Sequence, residues 1–167
     1  MTRKNRHILK REWPGLRAEI AGIIKEEKIA ETQFRALGVH ENWDVIEEKI
    51  LATFCDSIQR PLWLWEHLKL ASSSFRVDRP EDYLKDLIMP DQDIYFFIND
   101  TNNRLWFYEG RIDAIVSVIG ESALIDDMYF SSKKYEWLIC INHHDFLIAT
   151  GPLMVARLNK LINASSK

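Results

Sequence analysis

The chain has 167 residues, 47% of them apolar and 28% charged, and its formal net charge is -3. That balance excludes collagen-like, disordered and coiled-coil chains, and it lacks the positive field that draws proteins onto nucleic acid or anionic membrane. Six tryptophans are a heavy load of large amphipathic rings, which favour both cores and partner surfaces.

Arg3, Lys4, Arg6, Lys10 and Arg11 make a basic arm over residues 1–12. Glu12, Pro14 and Arg17 interrupt before an apolar stretch develops, so the arm does not read as a signal peptide. No run approaches the ~20 apolar residues of a membrane span. From Pro14 to about Ala36, Leu16, Ile20, Ile23, Ile24 and Ile29 recur at helical intervals, opposite Lys25, Glu26, Glu27 and Lys28. The spacing predicts a helix opened by Pro14, where a fixed φ and a missing donor cost nothing. A second helix is predicted after the cap residue Asn42, with Val45, Ile46, Ile50, Phe54 and Ile58 on one stripe and Arg60-Pro61 as its end.

Leu62-Trp63-Leu64-Trp65 reads as a first strand, and Ala71 to Phe75, with three consecutive serines, reads as a loop. Asp78 and Glu81 have capping-box spacing ahead of a short helix over Tyr83, Leu84, Leu87 and Ile88, which Pro90 stops. Two aromatic and β-branched runs, 94–98 and 104–108, flank Asn99-Asp100-Thr101-Asn102-Asn103 and predict a hairpin. Ile112, Ile115, Val116 and Ile119 fit a helix by period, although β-branching also suits a strand. Strands are predicted over 127–130 and 135–141, joined through Ser131 to Lys134, and 146–149 pairs back across Asn142-His143-His144-Asp145. Thr150-Gly151-Pro152 opens a last helix with Met154, Leu158, Leu161 and Ile162 on its apolar stripe, and 164–167 is a frayed tail. The expected architecture is one α+β domain over 13–163: a mainly antiparallel sheet of four to six strands, helices on one face and a single core.

The residues that invite a chemical reading are few. His143, His144 and Asp145 combine two imidazoles with a carboxylate, but adjacent residues on extended backbone point apart, so one metal ion is not expected between them. Turns also select Asn and Asp for local hydrogen bonds alone. His40 and His67 are isolated, and Glu121 with Asp126 and Asp127 reads as an acidic patch at a strand entry. Cys55 and Cys140 lie in apolar runs, as buried thiols of a reducing, cytoplasmic compartment would. No glycine-rich phosphate loop, metal-ligand cluster or nucleophile–base pair occurs at diagnostic spacing, so neither a cofactor nor catalysis is expected.

From about Pro61 to Leu161 the order of features resembles a poorly characterised bacterial family. The likeness is greatest over Lys133-Lys134-Tyr135-Glu136-Trp137 through Asn142-His143-His144-Asp145, running into Leu147-Ile148-Ala149-Thr150-Gly151. Members of that family have been proposed as immunity proteins for LXG-type polymorphic toxins of Gram-positive bacteria. The resemblance implies a cytoplasmic binder that occludes or distorts a cognate toxin, with no catalytic residue to transfer. An acidic chain suits a basic target such as a nuclease toxin. The surface expected to bind it comprises Asp126, Asp127, the His143-His144-Asp145 turn and an exposed tryptophan, Trp106. Two other readings stand beside this one: a regulatory protein-interaction domain, and a small hydrolase using His143 or His144.

Overall fold

A computed structural model describes residues 15–166 except Val39, Ile58 and Thr101. The expected basic arm, the Pro14 helix start and the Ile58 position on the second stripe lie outside the described residues. In chain order the elements are α1 (Leu16–Glu26), β1 (Phe34–Ala36), α2 (Trp43–Phe54), β2 (Ser72–Arg76) and α3 (Leu84–Leu87). There follow β3 (Ile94–Asn99), β4 (Leu105–Gly110), α4 (Ile112–Glu121), β5 (Met128–Ser132), β6 (Leu138–Ile141), β7 (Phe146–Thr150) and α5 (Pro152–Ser165). Among the described residues, no helix is long and apolar enough to cross a membrane.

The seven strands form one antiparallel sheet in the order β1-β4-β3-β5-β6-β7-β2, and the protein is a single α+β domain. The β3–β4 hairpin pairs Ile94 with Gly110 and Asn99 with Leu105, as the two flanking runs predict. Side chains alternate along these strands. Ile94, Phe96 and Ile98 enter one apolar layer with α1, α3, α4 and α5, while Phe97, Phe107 and Tyr129 enter a second layer with α2. The expected single core under helices on one face is therefore corrected. Met128 to Phe130 and Leu138 to Ile141 are buried on both faces, so both faces carry apolar residues that need cover.

Several local expectations also give way. The first helix stops at Glu26, because Lys28 turns left-handed at φ 54°, and Phe34 to Ala36 become an edge strand on β4. The second stops at Phe54 rather than at Arg60-Pro61, since Cys55 is extended and bridges Leu68. Asn42 precedes it in a left-handed conformation and makes no side-chain cap. Leu62 to Trp65 is not a strand: the Leu62 carbonyl accepts from Asn99 Nδ2 at 2.9 Å, and a 3-10 turn over Leu64–Glu66 drops Leu64 into the second layer. The Asp78–Glu81 capping box is replaced by Arg79 at φ 57° with Pro80 opening a 3-10 turn, Pro80–Tyr83, ahead of α3.

The serine run Ser72 to Ser74 is strand rather than loop, paired residue for residue with β7 from Ser72 opposite Thr150 to Arg76 opposite Phe146. Ser131 and Ser132, expected in a connection, complete β5 opposite Tyr95 and Ile94. At the start of α5, Gly151 has φ 93°, and a Cβ there would lie 2.4 Å from the Glu136 carbonyl oxygen. Glycine alone suits both constraints.

Candidate functional site

The turn between β6 and β7 is built by Asn142, a buried residue whose Oδ1 accepts from the backbone N of His144 at 3.0 Å and of Phe146 at 3.1 Å. Asp145 closes it in a left-handed conformation, φ 63°, which Asp tolerates better than most residues. This geometry corrects the expectation that the two histidines diverge. In a tight turn rather than an extended strand, their ring centroids lie 4.0 Å apart. His143 faces Asp127 across the β5 entry: its backbone N donates to Oδ1 at 3.1 Å, and Nδ1 lies 3.1 and 3.2 Å from the two carboxylate oxygens. Trp63 and Trp65 pack on it at ring-centroid distances of 5.7 and 6.2 Å, and Trp65 also meets His144 edge-on at 6.3 Å.

Beside this cluster runs a cleft of about 730 Å³. Trp63, Trp106, Leu62, Leu124, Asp126 and Asp127 line it, together with residues of α1 and of the β3–β4 turn. Leu62 and Leu124, 50% and 48% exposed, both line this one depression, which gathers two of the exposed large aliphatic side chains beside the indoles. The Leu124 wall is fixed from below by Glu19 of α1, a buried carboxylate. It accepts from the Ser122 hydroxyl, from Ala123 N at 2.8 Å and from Leu124 N at 3.3 Å.

Trp106 lies differently from the freely exposed ring expected of it. It is half-buried, donates from Nε1 to Asp100 Oδ2 at 3.0 Å, and has the guanidinium carbons of Arg17 and Arg104 at 4.4 and 4.3 Å from the ring centroid. Cation–π attraction and the Asp100 acceptor together fix its pose. Burial works against ionisation of Asp100, but the amides of Arg104 and Asn102 and the Trp106 indole hold its carboxyl below the ordinary value. Asp100 also caps its own turn, accepting from Asn102 N at 2.9 Å and Arg104 N at 3.0 Å.

Thus Asp126, Asp127 and Trp106 meet in one cleft, while the exposed His143, His144 and Asp145 stand beside it, joined through Asp127 and Trp63. Sequence reasoning missed Trp63, Trp65, Leu62 and Leu124, whereas Asn142 makes the local turn bonds expected of an Asn there. The Trp-x-Trp pair within an apolar run was the available signal, but a strand reading spends such a run on the core. Among the described residues, no three His, Cys, Asp or Glu side chains converge in a metal-holding arrangement. Cys55 and Cys140 are buried and unpaired. Burial pushes the Cys55 thiol up to about 11 and the Cys140 thiol well above the ordinary range, away from nucleophilic behaviour.

Residues 12–162 match a family of unknown function, DUF6756. The chain belongs to that family. Comparison with curated proteins and with solved structures gives no match. All the residues of the cleft and of the histidine turn fall inside the matched span.

Proposed function

We propose that this DUF6756 protein is a non-catalytic immunity protein of the cytoplasm, which neutralises a cognate bacterial toxin by binding it at the Trp63–Trp106 cleft. The carrying observation is that exposed Leu62 and Leu124 line one depression together with two indoles, Asp126 and Asp127. Protein recognition relies on aromatic and aliphatic anchors in a pocket, encircled by polar groups that steer and orient the partner. The exposed Asp126 carboxylate at the rim favours a basic partner such as a nuclease toxin, and the chain's net charge of -3 favours it over nucleic acid or an anionic membrane.

The hydrolase reading has less support: Asp127 could orient the His143 ring as a base, but the ring's other partners are Trp63, Trp65 and His144, with no nucleophile among them. A regulatory interaction domain would use the same cleft for a different partner. Co-expression with a candidate LXG-type toxin separates the three readings. The parent protein should restore growth and co-purify with the toxin, whereas Leu62→Asp with Leu124→Asp should do neither while folding normally. Failure of the parent to bind any such toxin would remove the immunity reading, and substrate turnover lost in His143→Ala would install the hydrolase.

A further inference from the structure

The two edges of the sheet are unlike. β1 is three residues long, whereas β2 offers five residues, Ser72-Ser73-Ser74-Phe75-Arg76, with no proline and no lysine to block pairing. The direction of its backbone groups follows from its ends. Val77 N donates inward to the Asp145 carbonyl at 3.2 Å, and the Ala71 carbonyl accepts from Thr150 Oγ1 at 3.0 Å. Antiparallel pairing alternates, so odd-numbered residues turn their N–H and C=O toward β7, and Ser72, Ser74 and Arg76 turn theirs outward. These three are the exposed residues of the strand.

We infer that β2 is a self-pairing edge, and that a second copy of this chain adds to it antiparallel about a two-fold axis through Ser74. In that register Ser74 faces Ser74 of the other copy, and Ser72 and Arg76 face each other twice. Every outward N–H and C=O of the strand then finds a partner. No like charges meet, because the two Arg76 side chains lie at opposite ends of the ladder. Each Arg76 guanidinium packs over its own chain's Phe146 ring, 5.8 Å from the centroid, rather than blocking the edge.

A second observation points to the same occupant. Asn159 Oδ1 accepts from the Ser73 hydroxyl at 2.7 Å, which sets one stripe of α5 on the β2 side. At helical spacing that stripe is Pro152, Ala156, Asn159 and Asn163, all exposed, all uncharged and none large. Of the two cations of α5, Arg157 is turned away and held by the Leu87 carbonyl at 2.6 Å, while exposed Lys160 borders the stripe beside Ala156 and Asn163. A two-fold axis normal to the sheet keeps α5 of both copies on one face, where these stripes can approach closely. The continuous sheet would be twice as wide, with the two clefts at opposite ends and both open to a partner.

The test is molar mass by light scattering and sedimentation, with three variants. The parent should show twice the chain mass, with dissociation on dilution. Ser74→Pro removes an outward N–H that β7 does not use, and it should give a monomer with the parent's circular dichroism. Ser74→Ala should remain a dimer. Ser74→Cys supplies a check independent of proline: opposing Cα atoms in such a pair are about 5.5 Å apart, inside the roughly 4.4–6.8 Å that a disulfide spans. Mild oxidation should therefore cross-link it, and should not cross-link Ser73→Cys. A parent monomeric up to its solubility limit overturns the inference, as does a dimer that survives Ser74→Pro. A monomeric parent whose capture of toxin is lost in Ser74→Pro would likewise overturn it and assign the edge to the partner's chain.

Discussion

The two ends of the sheet handle polar and apolar groups in opposite ways. At the end where β1, β4 and β3 begin or finish, Arg35, Glu109 and Tyr95 stand opposite one another, and their charges are spent on each other. Arg35 Nη2 lies 2.6 Å from Glu41 Oε1 and 2.5 Å from Glu109 Oε1, and Lys133 Nζ reaches Glu109 Oε2 at 2.6 Å. Lys133 also sits 5.6 Å over the Tyr95 ring, which packs against Tyr135 at 6.1 Å. At the other end the cleft leaves two leucines and a carboxylate facing solvent beside paired tryptophans. A network closed on itself contributes to holding strands in register, whereas exposed apolar walls gain free energy only when something else covers them.

The largest effect should come from Trp63→Ala at the open end. Trp63 is half-buried between Trp65 and His143, so its truncation should weaken toxin binding by about 2 kcal/mol or more, roughly 30-fold, as removal of a central aromatic anchor does. Titration calorimetry with a catalytically dead toxin reads this directly. Binding unchanged within error would move the interface elsewhere.

Glu109→Ala at the closed end should do the reverse. Its carboxylate is 20% exposed and serves both Arg35 and Lys133, so removal should cost about 1–2 kcal/mol of folding stability and leave toxin affinity alone. Burial opposes ionisation of Glu109, yet Lys133 and Arg35 hold its carboxyl below the ordinary value. Chemical denaturation reads the loss, and a fall in affinity to match that of Trp63→Ala would erase the distinction between the two ends.

That distinction was only half legible in the sequence. The β3–β4 hairpin announced itself, because two aromatic runs flank a turn rich in Asn and Asp, and α4 kept its helical period despite β-branched residues. The serine strand β2 carries no local strand preference and exists because β7 supplies its ladder. Leu62 to Trp65 has strand-like composition but no strand partner, since Asn99 takes the Leu62 carbonyl. Of the cleft, Asp126, Asp127 and Trp106 were identifiable as loop-proximal polar or aromatic residues. Leu62 and Leu124 were not, because a leucine's exposure depends on which neighbours the fold withholds. The charge row was invisible for a similar reason: Arg35 and Glu109 are brought together only by the register of β1 on β4.

Charge reversal at Asp126 should have a smaller effect, mainly on rate. Asp126 is exposed at the rim, so Asp126→Lys should slow association with a basic toxin several-fold at low salt and much less at high salt, with little change in melting temperature. Asp127 is unsuited to this test, because its side chain is only 10% exposed and anchors the His143 turn. An association rate indifferent to both the substitution and the salt would show that steering plays no part.

The smallest effect belongs to Glu41 at the closed end, and it is a pH dependence. The Arg35 guanidinium, helped by the Gly38 amide, lowers the Glu41 carboxyl to about 2. An unfolded glutamate titrates near 4.3, so the folded state holds the charged form more tightly and binds fewer protons between these values. The stability this confers is present above about pH 4.3 and is lost as pH falls through the folded value near 2. Glu41→Gln should therefore differ from the parent near neutral pH, by a small amount because the pair is open to solvent, and should converge with it in strong acid. Melting curves between neutral pH and strong acid, at low and high salt, read the convergence. A difference that stayed constant down through the acid range would mean that Glu41 acts through packing or the Gly38 turn, leaving Glu109 as the sole carboxylate partner of Arg35 that matters to the closed end.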